Sequence, residues 1–246
     1  MILGFAAVAP IVMIALWPHA PLAGLGVLAL SHMLILYPTL SPNQQWLGPV
    51  ITRFRSDDDE VWLTIDDGPA DDTPAVLDLF DAHGVKATFF VKGALAAARP
   101  DVIREIVRRG HSVANHSQTH PSGTFWCLLP GRIACEIEEC NRVLESAIGN
   151  TPRWFRAPVG MKNPFVHPAL KRRGMRLIGW TARGFDGVMS DPDDILRRIV
   201  RRLQPGTIIV LHQGRPSSVR VLEHVIVELK ALGYAFVIPR DEQMVA

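Results

Sequence analysis

Apolar positions run almost unbroken from Ile2 to Tyr37, then change character: beyond Arg53 they recur in short blocks separated by charged and turn-forming residues. The first zone divides into two stretches, Ile2–Trp17 and Leu22–Tyr37, on either side of Pro18-His19-Ala20-Pro21. Each is about 16 residues, roughly 24 Å as a helix, a little short of a ~30 Å hydrocarbon core. In the second zone, runs at Val61–Ile65, Lys86–Val91, Ser112–Asn115, Arg153–Phe155, Met175–Trp180, Thr207–Leu211 and Ala235–Ile238 predict strands. Helical patterns over Thr73–His83, Pro100–Arg109, Arg132–Ile148, Pro168–Arg173, Pro192–Leu203 and Val219–Leu232 lie between them, with Gly84 and Gly110 where C-caps belong. This alternation predicts an α/β fold with a parallel sheet and right-handed crossovers, open or closed into a barrel. Ser41–Arg55, with Pro42, Gly48 and Pro49, leads into the acidic run Asp57–Glu60 and reads as a linker. The chain therefore divides into an anchor over 1–40, a linker over 41–60 and a domain over 61–240.

Charge sharpens the first boundary, because no Asp, Glu, Lys or Arg precedes Arg53. Together with Trp17, Tyr37 and Trp46, which suit an interfacial belt, this predicts a retained hairpin of two short transmembrane helices in contact with membrane lipid. A cleaved signal peptide wants a positive n-region, and Met1-Ile2-Leu3-Gly4 has none. The predicted location is a bacterial inner membrane; Arg53 and Arg55 alone do not choose the side. A formal net charge of +2 gives no case for nucleic acid. Arg197-Arg198 and Arg201-Arg202 read as a solvated helix face, with anionic lipid or a substrate phosphate as the alternative contact. Cys127, Cys135 and Cys140 lack zinc-knuckle spacing and read as reduced, space-filling thiols. Oligomeric state leaves no signal in the sequence.

The candidate chemistry falls at the ends of predicted strands: Asp66 and Asp67, His116 just past Asn115, Arg156, Asp186, and His212 after Leu211. In an α/β barrel these ends share one face. Alternation along Val61–Ile65 sends Asp66 and Asp67 in different directions, so one can bind metal while the other stays free as a base. His116 and His120, four apart, aim the same way from a helical turn or a tight loop. Two imidazoles and one carboxylate, with a position left open, suit a divalent ion and zinc in particular. Taken singly each residue has a plainer reading: a turn for Asp66-Asp67-Gly68-Pro69, a core histidine for His212, a surface ion pair for Arg156. His83, His111, His167 and His224 are assigned to structure. Trp154, Trp180 and Phe185 are core residues or platforms for a sugar ring.

Taken together, Thr64-Ile65-Asp66-Asp67-Gly68-Pro69, His116-Ser117-Gln118-Thr119-His120, Arg156-Ala157-Pro158-Val159-Gly160 and Ile209-Val210-Leu211-His212 resemble the ordered motifs of the NodB-homology polysaccharide deacetylases, carbohydrate esterase family 4. Gly84–Val91 and Gly110–Asn115 are similar to that family's framework, and the resemblance spans roughly Val61 to Ile238. It implies a deformed (β/α) barrel holding a single divalent ion, usually zinc, on Asp67, His116 and His120. It implies Asp66 as general base, paired with and kept ionised by Arg156, and His212 as the acid that protonates the leaving amine. An oxyanion would meet the metal and the backbone N–H near Val159. Pro158, Val159, Gly160, Trp180 and Leu211 would line the substrate groove. The implied activity is hydrolysis of an N-acyl group, N-acetyl foremost, from an amino sugar.

One departure stands out. Where many members carry an Asp three residues after the fourth motif's Trp, this chain has Arg183, and Gly187 replaces a second Trp. An inward-pointing Arg183 would depress the His212 pKa, with Asp186 as the candidate compensator. The anchor admits an N-acylated polymer or a lipid-linked sugar as substrate, with deacetylation or deformylation as the reaction. A catalytically silent sugar-binding module on the same fold is the rival.

Overall fold

The computed structural model describes residues 2–245. Helices α1 (Ile2–Leu16) and α2 (Pro21–Leu40) pack as a hairpin. β1 (Arg53–Phe54), β2 (Glu60–Gly68), α3 (Thr73–His83), β3 (Ala87–Val91), α4 (Gly93–Ala98), α5 (Pro100–Arg108) and β4 (Ser112–Asn115) follow. The chain continues through α6 (Pro130–Ile148), β5 (Trp154–Phe155), α7 (Val166–Arg172), β6 (Arg176–Leu177) and β7 (Ala182–Arg183). It ends with α8 (Pro192–Val200), β8 (Thr207–His212), α9 (Ser218–Ala231), β9 (Ala235–Phe236) and β10 (Met244–Val245).

Parallel pairing runs β8, β2, β3, β4, β5, β6, and β7 returns to pair with β8, so the sheet curls into a deformed barrel. Strand alternation sorts the core. Val61, Leu63 and Ile65 of β2 pack outward with Val76, Phe80, Ile195 and Val225 of the surrounding helices, while Trp62 joins Phe90, Ile208 and Val210 in a separate cluster. Of the stretch predicted as one strand, Met175–Trp180, only Arg176–Leu177 is a strand, followed by a bridge at Ile178, and the next strand begins at Ala182. Asn43 interrupts it: its side chain donates to the Trp180 carbonyl at 2.7 Å and accepts from the Trp180 N–H, taking groups that a continuous ladder would use.

Asn43 belongs to the segment read as a linker, and that reading needs correction. Val50, Ile51 and Phe54 are buried, Ile51 bridges Ile178 in parallel, and β1 pairs with both β8 and β10. The Pro and Gly content marks irregular backbone, while these apolar side chains tie the segment to the barrel.

The hairpin also differs from two equal spans. Pro21 starts α2 at a position where its missing N–H costs nothing, and the helix runs past Tyr37 to Leu40. Its 20 residues reach roughly 30 Å, whereas the 15 of α1 reach only roughly 22 Å. Among the described residues α2 is the one helix long and apolar enough to cross a membrane. Its last turn is joined to the barrel. Lys162, fully buried, donates from Nζ to the carbonyls of Pro38, Ser41 and Pro42 at 3.2, 2.9 and 2.9 Å, and its N–H donates to the Thr39 carbonyl. The ammonium thus sits at the negative end of the helix dipole. Burial pushes its pKa down to about 8.

Gly206 sets how closely β1 approaches β8. It holds φ +78°, and a Cβ there would lie 1.9 Å from the Phe54 carbonyl oxygen. Gly206→Ala should lower unfolding free energy by about 2–5 kcal/mol, from left-handed strain plus overpacking. Gly149→Ala, with a similar φ and open space around it, should lose about 1–2 kcal/mol. Urea unfolding of both variants checks this, and equal losses would contradict the close approach.

Candidate metal and active site

The chemical residues emerge where parallel strands end: Asp66 and Asp67 on β2, His116 after β4, Arg156 after β5, Asp186 after β7 and His212 closing β8. Asp66 and His212 are in register across the β2 and β8 pair. They border a cavity of about 340 Å³ lined also by Asp67, His116, His120 and Trp180.

Asp66 is 4% exposed, and its Oδ1 accepts a 2.7 Å hydrogen bond from Arg156 Nη1. Arg156, 1% exposed, donates also to Thr64 Oγ1 and to the Gly179 carbonyl, and its guanidinium lies 4.1 Å from the centre of the Phe90 ring. A buried charge with this many partners is held in one orientation.

Alternation alone would turn Asp67 to the opposite face. The structure instead brings both carboxylates to the same imidazole, with Asp66 Oδ2 and Asp67 Oδ1 each 3.8 Å from His116 Nε2. The reason is local: the pairing of β2 with β3 slips between Asp66 and Gly68, and Asp67 takes φ +78°. Ser117, His120 and Val159 are likewise in left-handed conformation, at 65°, 53° and 54°. Such strain in residues other than glycine persists where surrounding contacts over-determine the backbone. Those contacts are visible here. Thr119 donates from N and Oγ1 to buried Glu136, Ser117 N–H donates to Asn115 Oδ1, and His120 N–H donates to Ser117 Oγ.

His116 donates from Nδ1 to the Arg156 carbonyl at 2.8 Å, which leaves Nε2 as its lone-pair nitrogen. His120 Nε2 lies 3.1 Å from His116 Nε2 and 3.4 Å from Asp67 Oδ1. The ligand atoms of Asp67, His116 and His120 lie within 4.8 Å of one another. Burial drives the pKa of both rings down, with the neighbouring His116 adding to the fall of His120 to about 3. Burial pushes the Asp67 carboxyl up, but the two imidazoles and Lys92 outweigh it and bring it to about 2. Neutral imidazoles and an ionised carboxylate are the forms that bind a divalent cation, so the donor set fits one.

Across the cavity, His212 donates from Nδ1 to Asp186 Oδ1 at 2.9 Å, and its backbone N–H meets Asp186 Oδ2 at 2.6 Å. Burial alone would lower the His212 pKa; Asp186, with help from Asp66 and Asp67, raises it overall. Asp186 therefore occupies the compensating position. Arg183 also lines this cavity, and its guanidinium lies 5.3 Å from the Trp180 ring and 4.6 Å from the Phe185 ring.

Val159, Gly160 and Trp180 line the cavity as read from sequence. Leu211 does not: it is fully buried in the outer core cluster, because alternation on β8 gives the inward position to Val210. Pro158 is buried in the turn that presents Val159. Trp154 packs on Trp62 at 4.8 Å, a core role. Two further residues escaped the sequence reading. Lys92, whose Nζ is 2.9 Å from Asp67 Oδ1, stands at the end of β3, where the strand-end rule would have found it. Glu136 lies on α6, far along the chain from the loop it braces, and carries no local signal.

A family model described as polysaccharide deacetylase matches residues 55–178. A chitooligosaccharide deacetylase from a Bradyrhizobium species is 34% identical over 190 residues, covering 71% of this chain and 86% of that protein. A peptidoglycan-N-acetylglucosamine deacetylase from Listeria monocytogenes is 29% identical over 176 residues, 71% of this chain and 37% of that protein. Among solved structures, a family 4 carbohydrate esterase from Streptomyces lividans in complex with acetate superposes with TM-score 0.70 at 28% identity, covering 78% of this chain and 98% of that one. A Bacillus anthracis protein described as a CE4 family pseudoenzyme gives TM-score 0.69 at 31% identity, over 75% of this chain and 65% of that one.

The Asp66 and Arg156 pair generates a stability prediction. Arg156→Met should lower unfolding free energy by about 3–5 kcal/mol, because it strands a buried carboxylate. Adding Asp66→Asn should restore part of the loss, since the uncompensated charge goes with it. Thermal unfolding of the single and double variants reads the coupling, and strict additivity would contradict the pairing.

Proposed function

Because this chain belongs to the polysaccharide deacetylase family, we propose that it is a metal-dependent hydrolase that removes an N-acyl group, N-acetyl foremost, from an amino sugar. The observation that carries the proposal is the convergence of Asp67, His116 and His120 opposite a buried carboxylate and a carboxylate-backed histidine in one cavity. Asp67, His116 and His120 would hold a divalent ion, and two imidazole nitrogens with one carboxylate oxygen favour zinc. Such an ion supplies Lewis acidity, making water acidic enough to act as a nucleophile near neutral pH and polarising an acyl carbonyl.

The remaining steps belong to the chain's own groups. Asp66, held by Arg156, accepts the proton of the attacking water. The backbone N–H of strained Val159 stabilises charge on the acyl oxygen. His212 donates its proton to the amine nitrogen, without which an amide leaves badly, and Asp186 keeps that imidazole charged and correctly oriented. Trp180 forms one wall for the sugar. A silent sugar-binding module has no use for this complete set.

The N-terminal hairpin tethers the enzyme to a bilayer through α2. Loss of α2 as a cleaved leader would remove the Pro38 carbonyl and the Thr39 contact that satisfy buried Lys162, which supports retention. Tyr37 and Trp46, both half exposed and 5.2 Å apart at the end of α2, suit the membrane interface.

Acetate release from N-acetylglucosamine oligomers should cease with a chelator and return with zinc, and Asp66→Asn should lower kcat at least about 100-fold. Chelator-insensitive release would sink the mechanism. The basic limb of kcat/KM reports loss of the His212 proton, so Asp186→Asn, which removes the main upward influence on that pKa, should move the limb to lower pH. A limb that stays put would remove His212 as the acid. For the tether, the full chain should remain with membranes after alkaline extraction.

A further inference from the structure

A second cavity, about 800 Å³, opens beside the first and shares Trp180 and Arg183 with it. One wall is the end of α2, with Tyr37 and Leu40; the other is Arg183 with Arg198, Arg201 and Arg202 from α8 and the turn after it. Residues 198, 201 and 202 share a helix face by their spacing. Among the described residues, none of these four guanidiniums has a carboxylate within ion-pair distance or a side-chain hydrogen bond to protein.

Many other arginines of this chain are paired. Arg99, Arg104, Arg108, Arg109 and Arg153 each pair with an acid, and on α8 itself Arg197 pairs with Asp194 on the other side. Among the described residues Arg132 and Arg172 also lack an acid partner; what sets these four apart is that they line one groove together. Aromatic rings hold two of them apart: Arg183 lies over Trp180 and Phe185, and Arg198 lies 5.4 Å from the centre of the Phe185 ring. Planar guanidiniums fixed without an acid are complementary to phosphate oxygens.

Resting on the tethered-hydrolase reading above, we propose that this groove binds the phosphate of a lipid-linked amino sugar, a phosphoester joining the N-acyl sugar to a long apolar chain. The sugar reaches past Trp180 to the Asp66 and His212 cavity, the phosphate lies on the arginines, and the apolar chain leaves along Tyr37 and Leu40 beside α2. The two shared residues make this one continuous path. An uncharged polymer chain would leave all four cations without an anion, whereas a phosphodiester brings one negative charge and acceptor oxygens for them to share.

The test uses the full chain loaded with zinc in phosphatidylcholine nanodiscs and two probes with the same tail: dodecyl N-acetylglucosaminyl phosphate and the uncharged dodecyl N-acetylglucosaminide. Replacing Arg198, Arg201 and Arg202 together by Gln should lower kcat/KM on the phosphate probe at least tenfold and leave the uncharged probe unchanged. These side chains are exposed, so the fold should tolerate the change, and an unaltered Tm confirms it. Equal losses on both probes, or no loss on either, would overturn the proposal. So would a loss seen only after phosphatidylglycerol is added to the discs, since the groove would then be reading the bilayer. Binding of the phosphate probe to Asp66→Asn, with and without the three Gln substitutions, reads the groove separately from catalysis. If the wild type hydrolyses no amino sugar yet arginine-dependent binding persists, the hydrolase reading fails and the phosphate groove stands.

Discussion

The buried pair between Asp66 and Arg156 is the interaction on which the site depends. One strand delivers the carboxylate and another the guanidinium, and neither is tolerable in the barrel interior without the other. Arg156 also touches the Thr64 hydroxyl and the carbonyls beyond β6, while its own carbonyl fixes the tautomer of His116. One residue therefore orients the proposed base and one proposed metal ligand. The barrel's shape and the site's chemistry are coupled through it.

Around this pair the backbone is strained where the proposed metal ligands converge. Strand geometry would separate adjacent aspartates, yet both stand near one imidazole. The slip in β2 and the left-handed Asp67 and His120 resolve that conflict, and the hydrogen bonds of Asn115, Ser117 and Glu136 hold the loop in place. Across the cavity a carboxylate, Asp186, stands behind His212, as the proposed acid step needs. Arg183 borders both this cavity and the groove toward α2.

The N-terminal region is part of this arrangement. Lys162 binds the end of α2, Asn43 interrupts the strand before Trp180, and Ile51 bridges to Ile178. The apolar helix thus meets the domain at the rim that carries the substrate wall. A rigid joint between this apolar helix and the barrel mouth suits the proposed tether and a substrate presented from a lipid surface.

Much of this was legible in the sequence. Alternating apolar blocks determined the α/β class, since burial on strand and helix faces imposes distinct periods. The motif residues stood at strand ends, where a parallel barrel gathers side chains on one face. The sequence also marked the apolar N-terminus by its lack of charge. Only tertiary structure decided that the Pro- and Gly-bearing segment before Glu60 packs on the barrel, that Leu211 faces away from the cavity while Val210 faces it, and that Asp186 backs His212. Each depends on contacts between residues far apart in the chain. Local composition reports what a segment can do alone, while its partners are chosen when the sheet curls and brings distant surfaces together.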